Sequence, residues 1–168
     1  PVTGQRIHRI IRELTGVDDP YAAVKERFNR FALSLYDALS ERVRGARDPF
    51  ATAVRLAIAG NLIDFGLRSD LVEEALEADV EVALTAPMDE GALETFRRGV
   101  GASDEIFYIA DNAGEIVFDR LLIERMLPRR ETVGVRGHAV INAARRADAE
   151  AAGLEGQVTV VDTRCDAP

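Results

Sequence analysis

A chain of 168 residues is long enough for one good-sized domain or two small ones with a real core. With 47% hydrophobic and 30% charged residues it has the balance of a soluble globular protein, and no apolar run reaches the length of a membrane span. A formal net charge of −8 argues against non-specific binding to nucleic acid, whose phosphates demand basic surface. The single cysteine, Cys165, has no internal partner for a disulfide and stands among polar residues, which suits a reducing cytoplasm and an incidental thiol. The chain shows no signal-peptide pattern, and its opening on Pro1 without Met leads one to expect that a preceding segment has been removed. Basic residues are almost all arginine; Lys25 is the only lysine, which reads as a compositional bias.

In chain order, Ile7, Ile10, Ile11 and Leu14 recur at helical spacing, so a helix is predicted from Val2 to Leu14, stopped by Gly16 and with His8 on or beside its apolar face. Asp18-Asp19-Pro20 signals a new helix start, followed by an amphipathic run (Val24, Phe28, Phe31, Leu35, Leu39, Val43) through about Arg44. Asp48-Pro49 repeats the signal for a mostly buried helix that runs into Gly60. Gly60 to Gly66 reads as a polar-apolar turn, Ser69 as the cap of a helix over 70–78, and Pro87 to Val100 as one more helix. After Gly101 the pattern changes to strand (Glu105 to Ala110), helix (Glu115 to Met126), strand (Glu131 to Arg136), helix (Asn142 to Ala152) and strand (Gln157 to Val161). That alternation implies parallel strands with right-handed crossovers. The expected fold class is therefore α/β: a helical N-terminal part over 1–102 packed on a small parallel, Rossmann-like α/β/α sheet over 103–168 that is incomplete at its C-terminal side.

Each strand delivers polar residues at its carboxyl end: Asp111-Asn112, Arg136-Gly137-His138 and Asp162. In a parallel sheet these ends share one edge, where open α/β sheets hold their ligands. Carboxylate and carboxamide oxygens are hard donors, suited to Mg²⁺ or Mn²⁺ rather than zinc. Gly114 allows close approach of backbone to a ligand, helix-start N–H groups favour an anion, and Arg136 has the fork geometry to clamp a phosphate. Asp or Asn ahead of a helix is also the commonest N-cap, and Arg136 could equally pair with a surface carboxylate. On residues alone, the reading stops at an α/β domain with an acidic turn.

Three stretches, GNLIDFG (Gly60 to Gly66), DNAGEIVFD (Asp111 to Asp119) and VRGHAVIN (Val135 to Asn142), resemble the metal-dependent damage-control phosphatase family, also called domain of unknown function eighty-nine. DDPY at Asp18 to Tyr21 and DAEAAGL at Asp148 to Leu154 fit the same family in order. The resemblance implies hydrolysis of small phosphorylated metabolites, such as sugar phosphates or damaged cofactor precursors, with Mg²⁺, Mn²⁺, Co²⁺ or Ni²⁺. By the same resemblance Asp111 and Asn112 match metal ligands, Asn61 and Asp64 line the cleft, and Glu115, Arg136, Gly114 and Asn142 lie near substrate. Asp64 or Glu115 would orient the attacking water.

Two departures stand out. The family's second polar turn reads Asn followed by Asp, the third protein ligand, whereas this chain has Asn142-Ala143. Asp148, five residues further along the predicted helix, would point roughly 140° away and so is a poor substitute. The family also has a cysteine-bearing segment before this region and further strands and helices after the third strand, including a phosphate-holding basic group. The alternative function is therefore a catalytically impaired or non-catalytic ligand- or partner-binding member of the fold. A haloacid-dehalogenase-like phosphatase also leads with a strand-end Asp, but wants a second acid where Ala113 stands.

Overall fold

The structure, a computed structural model, describes residues 2–62, 73–126 and 130–163. Five helices come first: α1 (Val2–Thr15), α2 (Ala22–Gly45), α3 (Pro49–Leu62), α4 (Glu73–Thr85) and α5 (Glu90–Ala102). The α/β part follows as β1 (Glu105–Ile109), α6 (Glu115–Met126), β2 (Arg130–Val135), α7 (Arg146–Ala151) and β3 (Thr159–Asp162). The strands form one parallel sheet in the order β1-β2-β3, with Tyr108 opposite Val133 and Val133 opposite Val160. Among the described residues, no helix is long and apolar enough to cross a membrane.

The helix starts follow from side-chain oxygens that meet exposed backbone N–H groups. Asp48 accepts from Ala51 N (3.0 Å), with Pro49 at the first helical position, and Asp89 accepts from Ala92 N (2.9 Å). Asp19 accepts from Tyr21 N (3.0 Å), so α2 begins one residue beyond that turn, at Ala22, rather than at Pro20. Along α2 the buried positions are Lys25, Phe28, Asn29, Ala32, Leu39 and Val43, an inward stripe that admits two polar residues.

Three elements depart from the sequence pattern. Residues 60–62 continue α3, where Gly60 serves close packing, since a Cβ there would stand 2.7 Å from Phe118 Cβ on α6; the rest of the expected turn, 63–66, and the expected cap at Ser69 lie outside the described residues. Helix α4 extends to Thr85, past the predicted end at Ala78. The helix expected from Asn142 starts only at Arg146, because residues 142–145 pair laterally with the turn after β1 and with Arg136.

The core joins α2, α3 and α6 to the inward sheet face, with Phe28, Leu56, Ile116, Phe118, Ile123 and Val133 at its centre. Each such side chain, fully buried, contributes about 1.5–3 kcal/mol. Strand residues alternate, so Ile106 and Tyr108 face this core while Phe107 (62% exposed) and Ile109 (77%) face outward.

Candidate metal and substrate site

Parallel pairing brings the carboxyl ends of β1, β2 and β3 to one edge, and the turn after β1 is anchored there on two sides. On one side lies the 142–144 segment. Ala144 N donates to Asp111 O (2.7 Å), Ala113 N donates to Asn142 O (2.8 Å), and Asn112 bridges Ala143 in antiparallel fashion. The segment bends through Ile141, whose φ of 46° is strained for a β-branched residue. On the other side, Gly114 (φ 82°) donates its N–H to Asn29 Oδ1 on α2 at 2.7 Å.

The side chains of the turn do not cap α6. Among the described residues the Asp111 carboxylate is exposed and accepts no hydrogen bond. Asn112 donates its Nδ2 to Glu115 Oε2 at 2.9 Å, and Asn61, at the end of α3, donates its own Nδ2 to Glu115 Oε1 at 2.9 Å. Glu115, 6% exposed, is thus held through both oxygens by two carboxamides. A carboxylate only accepts, so it fixes the Asn112 amide with nitrogen inward and leaves Oδ1 as a free hard donor.

Behind Glu115, one helical turn along α6, stands Asp119, 2% exposed and accepting from Tyr108 OH at 2.7 Å. Burial pushes its carboxyl up to about 8; the negative charges of Glu115 and Asp111 add to the rise and the Tyr108 hydrogen bond opposes it. Three acidic side chains therefore share one electrostatic neighbourhood, in which the charges of Glu115 and Asp111 help to keep the buried Asp119 carboxyl protonated.

The remaining sequence-derived candidates sit around this turn in different ways. Arg136 follows β2 at the same edge, half-buried, with its N–H on Ala144 O (2.9 Å). Asn142 presents its carbonyl to Ala113 N. The Gly114 and Ala113 amides, expected to face an anion, are taken by Asn29 and Asn142 inside the fold. Asp162 ends β3 and lies 3.9 Å from the Arg146 guanidinium. Asp64 and Cys165 lie outside the described residues. Asp148 is excluded as a replacement ligand for a reason other than helix geometry: both its oxygens are engaged by Lys25, Asn29 and Arg145 N.

Sequence reasoning passed over Asp119 and Asn29 and weighed Asp148 only as a replacement ligand. The signals were present: Asp119 lies four residues from Glu115, on the same helical face, and Asn29 interrupts the apolar stripe of α2.

Do these residues fit a divalent cation? Among the described residues no group of three His, Cys, Asp or Glu side chains could hold one. Asp111 and Asn112 Oδ1 supply two hard oxygens at an exposed position. Such a pair suits Mg²⁺-like ions, which keep several waters and bind through one or two side chains plus phosphate oxygens. Ala143, 7% exposed, pairs across the bridge with Asn112, so this chain has a methyl group rather than a third carboxylate at that bridge position.

A small parallel sheet with an acidic, strand-end turn backed by buried acidic side chains defines a mixed α/β protein with a candidate hard-cation site. The chain belongs to the damage-control phosphatase ARMT1-like domain family, whose sequence model matches residues 1–168. A damage-control phosphatase of Archaeoglobus fulgidus is 39% identical over 154 residues, covering 89% of this chain and 52% of that protein. One from Pyrococcus horikoshii is 30% identical over 165 residues, covering 96% of this chain and 56% of the relative. The crystal structure of a DUF89 family protein from Pyrococcus horikoshii superposes with a TM-score of 0.81 at 30% identity, covering 95% of this chain and 55% of that one. The chain thus spans about half the length of the relatives it matches.

Proposed function

We propose that this chain carries the metal-holding turn of a metal-dependent phosphatase acting on small phosphorylated metabolites, sugar phosphates or damaged cofactor precursors among them. The observation that carries the reading is the Asp111-Asn112 pair: one carboxylate with no partner among the described residues, and one carboxamide whose oxygen Glu115 leaves free. Family membership supports the reaction class.

In this reading Asp111 and Asn112 hold a divalent cation, Mg²⁺, Mn²⁺, Co²⁺ or Ni²⁺, which when bound neutralises charge on phosphoryl oxygens and makes water more acidic. Glu115 keeps the Asn112 oxygen aimed outward, and Asn61 keeps Glu115 in place. Arg136, at the neighbouring strand end, orients a phosphate and offsets the charge that builds on it. Asp119 retains a proton well above the usual carboxylate range. Asp64 and Asn142 are assigned to the substrate side of the cleft.

The test is hydrolysis of p-nitrophenyl phosphate and a panel of sugar phosphates in the presence of Mn²⁺ or Mg²⁺. Turnover that Asp111→Ala abolishes is the expected result; turnover unaffected by that change overturns the assignment.

A second reading, a binding protein that keeps the fold with weakened chemistry, is favoured by Ala143 opposite Asn112. Its test is Ala143→Asp. Activity raised tenfold or more would identify a missing third donor, whereas an unchanged rate would exclude that cause.

A further inference from the structure

A buried polar chain runs behind the Asp111-Asn112 turn and takes no part in the chemistry proposed above. Gly114 N–H donates to Asn29 Oδ1 (2.7 Å), and Asn29 Nδ2 donates to Asp148 Oδ1 (2.8 Å). The other Asp148 oxygen accepts from Arg145 N (2.8 Å) and from Lys25 Nζ (3.3 Å). Lys25 Nζ also pairs with Asp19 Oδ2 at 2.7 Å. Lys25, Asn29 and Asp148 are 4%, 4% and 6% exposed, respectively.

These bonds reach both walls of the site. Through Asn29, the Asp148 carboxylate fixes Gly114, two residues after Asn112. Through Arg145 N, it fixes the end of the 142–145 segment that holds the backbone of Asp111 and Asn112 from the opposite side. One buried carboxylate thereby sets the spacing between the donor turn and the segment facing it.

The chemistry of the residues is specific. Asn29 must accept from a backbone amide and donate to a carboxylate at once, which a carboxamide does and a carboxylate or hydrocarbon does not. Lys25 is the only lysine beside twenty arginines in the sequence. It occupies a buried position between the carboxylates of Asp19 and Asp148 and pairs with both.

We infer that Asn29, oriented by Asp148 and Lys25, is a positioning residue for the donor turn, setting where Asp111 and Asn112 present their oxygens. This deepens the metal reading of the site and rests on it. An outer partner of this kind typically contributes ten- to a hundredfold in metal affinity.

The experiment combines amide hydrogen exchange in the metal-free chain with Mn²⁺ titration. In the wild type the Gly114 amide exchanges slowly. Asn29→Asp sets two carboxylates against each other, and Asp148→Asn, keeping its oxygen on the Arg145 and Lys25 donors, sets its own NH2 against that of Asn29. Each single change is expected to accelerate Gly114 exchange and to weaken Mn²⁺ binding about ten- to a hundredfold, with β2 amides keeping their wild-type rates. Combined, the two changes exchange the roles of amide and carboxylate, so the donors and acceptors match again and both readouts return toward wild type.

The inference is overturned if Gly114 exchanges as fast as an open turn in the wild type. It is equally overturned if the folded single variants retain Mn²⁺ affinity, or if the folded double variant restores neither readout. Should the single variants fail to fold, the wild-type Gly114 rate and the double variant still decide. Loss of the metal reading itself is a separate outcome: the wild type would bind no Mn²⁺ at millimolar concentration while Gly114 remained protected.

Discussion

Asp119 is a carboxyl group whose burial dominates its chemistry. Its pKa is raised to about 8, so between roughly pH 4 and 8 the folded protein holds a proton there that the unfolded chain has released. More protons bound in the folded state means that stability falls as pH rises through this window, by up to about 1.4 kcal/mol per pH unit, and levels off above it. Asp119→Asn keeps an acceptor for Tyr108 OH and removes the titration. The expected result is a flatter stability-pH profile and a more stable protein at pH 8, measured by urea unfolding across pH 5–9. A divalent ion bound nearby should favour ionised Asp119 and reduce the slope. At this scale the sequence showed the polar strand ends, since Asp111, Arg136 and Asp162 each follow or end an apolar run. It did not show which backbone amides were already taken. Gly114 looks like an anion-facing glycine from its neighbours, and only the distant Asn29, eighty-five positions earlier, gives its N–H another partner.

At the scale of elements, the approach of α3 to α6 positions Asn61 beside Glu115. Gly60 makes that approach possible, since a Cβ there would meet Phe118 backbone-proximal atoms at 2.7 and 3.0 Å. Gly60→Ala is therefore expected to destabilise the protein by about 1–3 kcal/mol through overpacking, although alanine is the better helix former. Urea unfolding measures it; a neutral or stabilising effect would contradict the close packing. The same glycine explains why the sequence pattern opened the turn before α3 had ended: a glycine that allows helices to touch looks, in one dimension, like a glycine that ends a helix. α7 was misjudged for the complementary reason. Residues 142–145 have helical composition, yet the backbone groups of Asn142 and Ala144 are committed to Ala113, Asp111 and Arg136. By contrast α6, whose ends and inward positions follow from local periodicity, was legible from Glu115 to Met126.

For the whole molecule, the common direction of the three strands was readable because strand-helix-strand spacing permits little besides parallel crossovers, whereas their order β1-β2-β3 emerges only from the structure. The outward sheet face was less so. Phe107, Ile109 and Val161 remain exposed there, whereas all-parallel sheets are generally covered on both faces. Phe107 folds over Gly134, where a Cβ would lie 2.8 Å from its ring, so part of that face is closed by the strand's own side chain. The family was legible through the words around Asp111 and Gly60, while the network behind them required three-dimensional structure.

The account depends on Asp111 and Asn112 gripping a divalent ion. The most direct measurement is Mn²⁺ titration followed by loss of the free-ion electron paramagnetic resonance signal, run on the wild type, Asp111→Ala and Ala143→Asp. The prediction is one bound ion per chain in the wild type, at least tenfold weaker binding in Asp111→Ala and at least tenfold tighter binding in Ala143→Asp. Equal titrations for the wild type and Asp111→Ala, or no binding to the wild type at millimolar Mn²⁺, would contradict it.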